Sequence, residues 1–258
     1  MTIDTEMRGP VAWVTFDRPD ARNAFTHEMY TLLGQICADL GADESVRAVV
    51  FQGKGDDAFV SGSDIREVGE IRTVADALAY ERHIEQGIGG VERLPKPTIA
   101  LIRGVAAGGG AAIALACDIR IAAENARFGV PIARTVGNTL SLRNVARMIQ
   151  VVGAAVTKEL LLTGRLLTAA EAKTAGAFND VARLDRIEAQ VAALADRLSQ
   201  NAPLTIRATK LAVLRVLEAE RERLGMGEDI LELAYGSEDF REGVAAFLEK
   251  RAPIWKGR

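Results

Sequence analysis

Through the first half of the chain, short runs with the two-residue alternation of β-strands take turns with helical segments. That alternation limits the fold more than any other feature. Val11-Ala12-Trp13-Val14-Thr15-Phe16 reads as a strand, and the run from Thr2 to Met7 can pair with it across Arg8-Gly9-Pro10. Thr26 reads as the N-cap of a helix with apolar positions Met29, Leu32, Leu33, Ile36 and Leu40, closed by Gly41. A strand follows from Val46 to Phe51 and ends in the turn-rich Gly53-Lys54-Gly55-Asp56-Asp57. A long helical pattern from about Val74 to Leu94 stops at Lys96-Pro97 and feeds a strand over Thr98 to Ile102. After a glycine cluster and a short helix, Ile119 to Ala122 forms another strand. Strands separated by helices require right-handed crossovers and a mostly parallel sheet. From about Leu140 the character changes, and 140–150, 153–162, 168–175, 185–199, 203–217, 220–235 and 238–250 read as amphipathic helices. The fold class is α/β with a helical tail, without a low-complexity linker or a repeat.

Composition narrows the partners. With 258 residues there is enough chain for one substantial core, and 48% hydrophobic with 26% charged residues is ordinary for a globular domain. A net charge of -3 argues against nucleic acid, whose phosphates call for a basic face. Cys37 and Cys117 both sit in apolar patterns and read as buried thiols, which suits a reducing cytosol. With only His27 and His83 and no Cys/His cluster, no metal site is expected. The opening MTIDTEMRGP lacks a basic region followed by an apolar core, so no signal peptide is expected. The longest apolar stretch is too short and too rich in glycine to span a bilayer. A cytoplasmic protein without membrane contact is the expectation.

That longest stretch, GVAAGGGAAIALACDIRIAA over 104–123, places three consecutive glycines between a strand and a helix, with no acid before Asp118. A second such junction is Phe59-Val60-Ser61-Gly62-Ser63-Asp64, where Asp64 is placed to cap the segment after it. The first turn of a helix carries N–H groups without internal partners, and glycine lets a ligand approach them closely. Two such N–H groups converging on one carbonyl oxygen make an oxyanion hole. Tight helix–sheet packing alone would also account for the glycines. A phosphate loop would not, because neither G-x-G-x-x-G nor GK[ST] is present.

At these junctions the sequence resembles the crotonase superfamily, the enoyl-CoA hydratase/isomerase family. RPDARNAF (18–25), DDAFVSGSDIREV (56–68) and KPTIALIRGVAAGGGAAIALACDIRIAAENARFGVP (96–131) are similar to its three signature loops. LLLTGRLLTAAEAKTAGAFNDV (160–181), APLTIRATK (202–210) and FREGVAAFLEKR (240–251) follow its later helices. The resemblance implies a ββα spiral core over 1–195 and a C-terminal helical trimerisation region over 196–258, assembled as a homotrimer or a dimer of trimers. It implies an acyl-CoA thioester substrate, with coenzyme A as part of the substrate and no other cofactor. Carried over by position, the amides of Ser63 and Gly109 form the oxyanion hole, and backbone around Ala21, Arg22 and Ala24 holds the CoA moiety. Ser61, Gly62, Asp64, Ile65, Gly108, Ala112, Pro131, Ile132 and Thr135 fall at substrate-binding positions. Phe247 and Lys250 match positions that can reach a neighbouring subunit's CoA.

The informative departure is the loss of both acids. Hydratases of this family add water with two glutamates, and the matching positions here are Ala112 and Ile132, neither of which can move a proton. Arg134, Thr135 and Asn138 lie just past the second position and border the expected acyl pocket. Arg134 is a candidate for an acyl carboxylate and Asn138 for a water or a substrate oxygen. The plainer alternatives are a surface ion pair for Arg134 and a helix cap near Leu140 for Asn138. AYERHIEQ (79–86) lies on the helix that lends catalytic residues to the acyl pocket in related CoA dehalogenases, which makes Glu81, His83 and Glu85 candidates, His83 being the one plausible histidine acid or base. So charged a segment, Glu81 and Glu85 included, otherwise reads as a solvated face. Asp64 reads as a cap, Asp118 as structural and Glu124 as part of a surface turn. The expected activity is chemistry on an acyl-CoA through an enolate. The alternatives are isomerase, dehydratase, thioester or C–C hydrolase, dehalogenase, or a non-catalytic acyl-CoA-binding protein.

Overall fold

The computed structural model describes residues 2–258. Chain order begins β1 (Ile3–Arg8), β2 (Val11–Phe16), α1 (His27–Ala42), β3 (Ala48–Gly53), β4 (Ala58–Val60), α2 (Ile65–Val68) and α3 (Val74–Arg93). It continues β5 (Thr98–Ile102), β6 (Val105–Ala107), α4 (Gly109–Ala116), β7 (Ile119–Ala123), β8 (Arg127–Gly129) and α5 (Ile132–Thr135). The helical part is α6 (Leu142–Thr163), α7 (Ala169–Thr174), α8 (Ile187–Gln200), α9 (Pro203–Leu224), α10 (Glu228–Tyr235) and α11 (Glu238–Leu248), with β9 (Leu167–Thr168) and β10 (Asp180–Ala182) between them.

One sheet runs β1-β2-β3-β5-β7-β10, parallel except for the antiparallel β1–β2 hairpin. A second, shorter sheet runs β4-β6-β8-β9. The inner strands β2, β3, β5 and β7 of the main sheet are buried on both faces, as parallel strands are, while the edge strand β1 is largely exposed. Alternate residues Ala12, Val14, Val49, Phe51, Ala100 and Ile102 face the main core with α1, α3 and α4. Their neighbours Trp13, Val50, Ile99 and Leu101 face a smaller core closed by Ile187, Val191 and Ala195 of α8. The strand–turn–strand units β3–β4 and β5–β6 each step from the long sheet to the short one, and one of the two loops that resemble oxyanion loops leaves from the end of each, after β4 and after β6.

Several helix starts follow from their side-chain caps. Thr26 accepts from Met29 N–H at 3.2 Å, and α1 buries Met29, Tyr30, Leu33, Cys37 and Leu40. Thr73 and Asp76 form a reciprocal capping box at the start of α3. Asp64 caps α2, accepting from Arg66 N–H at 3.1 Å, and pairs with Arg18 at 3.0 Å. Asp118 accepts from Thr98 N–H (2.7 Å) and from Lys210 (2.6 Å), clipping α9 to the sheet.

Three expectations need correction. The helices expected over 140–150 and 153–162 are one run, α6, broken where Gly153 takes φ 75°. The helix expected over 220–235 does not exist as one piece, since α9 runs on to Leu224 and Gly225-Met226-Gly227 turn the chain before α10. The boundary expected at residue 195 falls inside α8. The final residues fold back over α11, with Ile254 N–H on Glu242 (2.9 Å) and Gly257 N–H on Asp239 (2.8 Å). The Trp255 ring lies so close to the chain at Gly137 and Gly243 that a Cβ on either would sit 3.0 or 3.1 Å from it.

Candidate active site

Gly108, Gly109 and Gly110 each answer a different constraint. Gly108 takes φ 54° as the residue before α4, where a side chain would be strained. Gly109 lies against the Tyr30 hydroxyl, and Gly110 against the Val60 carbonyl of β4, with no room for a Cβ at either. The helix is thereby pressed onto the short sheet with its N-terminus beside the loop after β4. Ala112 N–H is the first helical donor, reaching Gly108 O at 3.1 Å, so Gly109 N–H stays free of the helix. Across from it, Phe25 N–H donates to Gly62 O (2.9 Å) and Asp64 N–H to Phe25 O (2.7 Å). In that parallel bridge the intervening Ser63 directs its N–H away from the ladder. The two loops touch, since a Cβ on Gly109 would lie 3.5 Å from Ser63 Oγ. Tyr30 Oη, 3.0 Å from Ser63 Oγ, braces the junction from behind.

Both junctions open on a chamber of about 860 Å³. Ala21, Arg22 and Ala24 stand at its mouth, on a loop pinned by the buried Asn23 side chain, which donates to Ala58 O (2.7 Å) and accepts from Arg18 N–H (3.0 Å). Ser61, Gly62, Asp64, Ile65 and Gly108 line the wall beside Ser63 and Gly109. Ala112, Pro131, Ile132, Thr135 and Asn138 also line the chamber. Phe247 and Lys250 line this same chamber rather than reaching only toward a neighbour, because α11 packs over α2 and α5 of its own chain.

Two expected residues are not brought to the chamber. His83 sits between α1 and α3, with Nε2 2.9 Å from His27 O and its ring 4.9 Å from that of His27. At 100° per residue it points about 160° away from Glu81 on the same helix. Arg134 is exposed, its Cβ directed at the turn of Gly164. Asn138 lines the chamber and caps nothing, since α6 starts only at Leu142 after Ser141.

The reading of Glu81 as part of a solvated face is also overturned. Glu81 is 2% exposed and lines the chamber. Tyr235 Oη, from α10, donates to Glu81 Oε1 at 2.9 Å and accepts from Asn138 Nδ2 at 3.0 Å. A phenol has one hydrogen, so a Tyr235 that donates to the carboxylate presents a lone pair to Asn138 and turns the amide oxygen the other way. Glu81 Oε2 and Asn138 Oδ1 are left buried with no hydrogen-bond partner among the described residues. Burial pushes the Glu81 carboxyl up to about 7, with Tyr235 and Ser141 pulling it down and Glu85 pushing it up. Ser141 stands near that carboxylate without completing a hydrogen bond to Oε2. The trace of this arrangement in the sequence is faint. Ala77, Tyr80, Ile84, Ile88 and Val91 form the apolar stripe of α3, and Glu81, Glu85 and Glu92 lie on that stripe rather than opposite it.

Comparison with known proteins now decides the family. The family model described as enoyl-CoA hydratase/isomerase matches residues 6–258. The chain belongs to the enoyl-CoA hydratase/isomerase family. It is 37% identical over 260 residues to a putative enoyl-CoA hydratase of Thermus thermophilus, covering 95% of this chain and 97% of that protein. Among solved structures of the family, carnitinyl-CoA hydratase from Mycobacterium avium matches with a TM-score of 0.84 at 35% identity, over 100% of this chain and 99% of that one. Methylmalonyl-CoA decarboxylase in complex with 2-nitronate-propionyl-CoA matches with a TM-score of 0.90 at 27% identity, over 100% and 99%. The crotonase-type fold and an acyl-CoA enzyme of this family are thereby established.

Proposed function

We propose that the chain polarises an acyl-CoA thioester between the N–H groups of Ser63 and Gly109 and carries its acyl group through an enolate, as a lyase or isomerase. The observation that carries this is the junction of two backbone donors, Ser63 and Gly109, on one chamber wall. Donors fixed before the reaction stabilise charge as it develops on the thioester oxygen, by several kcal/mol. Arg22, Arg66 and Lys250 around the mouth suit the phosphates of coenzyme A, which enters as part of the substrate. Ala112 and Ile132 at the two positions where family hydratases carry glutamates set the chemistry apart from addition of water by that pair. The working unit in this reading is a homotrimer or a dimer of trimers.

The test is proton exchange. Butanoyl-CoA incubated with the protein in heavy water should gain deuterium at the carbon next to the thioester, followed by mass spectrometry. Gly109→Ala, whose Cβ meets the Tyr30 hydroxyl, should lower that exchange about 100-fold. Tight binding of the ester without any exchange would sink formation of the enolate by proton removal. A second reading is favoured by the likeness to methylmalonyl-CoA decarboxylase at TM-score 0.90. Loss of CO2 from an acyl carboxylate yields the same enolate with no base. Release of CO2 from a carboxyacyl-CoA faster than exchange into butanoyl-CoA would select it.

A further inference from the structure

We infer that Glu81 is the group that moves the proton in this chamber, held in position by Tyr235 and Asn138, an inference that rests on the enolate reading above. Glu81, 2% exposed, is one of two buried carboxylates that line the chamber with Ser63 and Gly109. Asp64, the other carboxylate near the junction, is committed to Arg18 and Arg66 and to capping α2. Glu81 uses one oxygen on Tyr235 and leaves Oε2 buried without a hydrogen-bond partner among the described residues. An unpartnered, buried carboxylate oxygen is costly, and taking up a proton from a bound acyl group relieves that cost.

The step balances. Glu81 Oε2 takes a proton from the carbon next to the thioester. The C–H electron pair becomes the enolate double bond, and the carbonyl pair moves to the oxygen held by Ser63 and Gly109 N–H. The Glu81 carboxylic acid then returns the proton to the same carbon, to a carbon further along the acyl chain, or to a departing group. In this family the acid is expected on the helix after the glycines or just past the next strand. Here it has moved to α3 and is supported from α10. Tyr235 does not line the chamber and acts as a positioning residue. Its hydroxyl stabilises the carboxylate, so it pulls the titration of Glu81 downward.

Deuterium wash-in to butanoyl-CoA, measured from pH 5 to 9, tests this together with the dissociation constant of the same ester by calorimetry. Wild-type exchange should rise with pH to a plateau, with a midpoint near 7. Glu81→Gln should lower the plateau about 100-fold or more while binding changes less than about threefold. Tyr235→Phe should keep a measurable plateau and move the midpoint up by about one pH unit, a shift that simple loosening of the fold would not give. Exchange by Glu81→Gln within about threefold of wild type, with binding intact, would overturn the assignment and leave the enolate reading standing. So would an unmoved midpoint in Tyr235→Phe, which keeps the question decidable if the glutamine variant fails to fold. Absence of exchange in wild type that binds the ester would instead remove enolate formation by proton removal, and the Glu81 assignment with it.

Discussion

A carboxyl group buried among Tyr235, Asn138 and Ser141 sets one residue's chemistry against the stability of the whole. Burial raises the Glu81 pKa from the ordinary 4.5 to about 7. A folded-state pKa above the unfolded one means that the native state favours the neutral acid. Its contribution is therefore fully present below pH 4.5 and is lost as pH rises through 7, a difference of about 3 kcal/mol. Glu81→Gln keeps the shape and a hydrogen-bonding atom for Tyr235 but cannot ionise. Urea unfolding should find this variant more stable than wild type at pH 8 by up to about 3 kcal/mol, and no more stable at pH 4. Equal stability gains at both values would mean that the ionised form carries no penalty. Glu92, eleven residues on, has the opposite sign. Burial pushes it up, but Arg147 and Arg221 outweigh that and hold it at about 2, so its contribution is present above 4.5 and lost as pH falls toward 2.

At the scale of elements, α3 holds the structure together through the same face that it offers to the chamber. Arg147 of α6 reaches Glu85 (3.0 Å) and Glu92 (2.8 Å), and Arg221 of α9 reaches Glu92 (2.8 Å), so three helices close on two carboxylates. Both guanidiniums are 1% exposed, and removing one partner leaves charge buried without compensation. Glu92→Gln should cost about 3–5 kcal/mol at pH 7, read as a lowered denaturant midpoint at unchanged slope. The sequence makes α3 legible as a helix, because its apolar stripe and caps are local. It hides what the acids on the stripe do, because their partners lie far along the chain, Tyr235 being 154 residues from Glu81. The long strands β2, β3 and β5 are legible for the same local reason. The three-residue strands β4, β6 and β8 are not, since a strand so short shows no alternation, and their sheet exists only once the glycine turns bring them side by side. The junction of the Ser63 and Gly109 loops is legible because glycine itself marks it, whereas Asn138 looks like a cap until Tyr235 is placed opposite.

For the whole molecule, the outer faces of the last helices carry more apolar surface than one chain needs. Leu204 (76%), Val216 (74%) and Leu233 (80%) on the helices, and Ile254 (71%) in the tail after them, are exposed. The proposed trimer would cover such a surface. Val216→Asp should lower the mass seen by sedimentation equilibrium while leaving the far-ultraviolet dichroism intact, and an unchanged mass would place the contact elsewhere. No helix among the described residues is long and apolar enough to cross a membrane. The folded-back C-terminus has an optical side. The chain has two tryptophans; Trp13 is sealed in the sheet at 2% exposure beneath the Arg8 guanidinium, while Trp255, 40% exposed, rests on Gly137 next to Asn138. In a Trp13→Phe variant the remaining indole emission comes from Trp255 alone. An acyl group that displaces the Asn138 loop should then announce its arrival as a change in colour or brightness, and the molecule carries its own lamp for timing substrate entry.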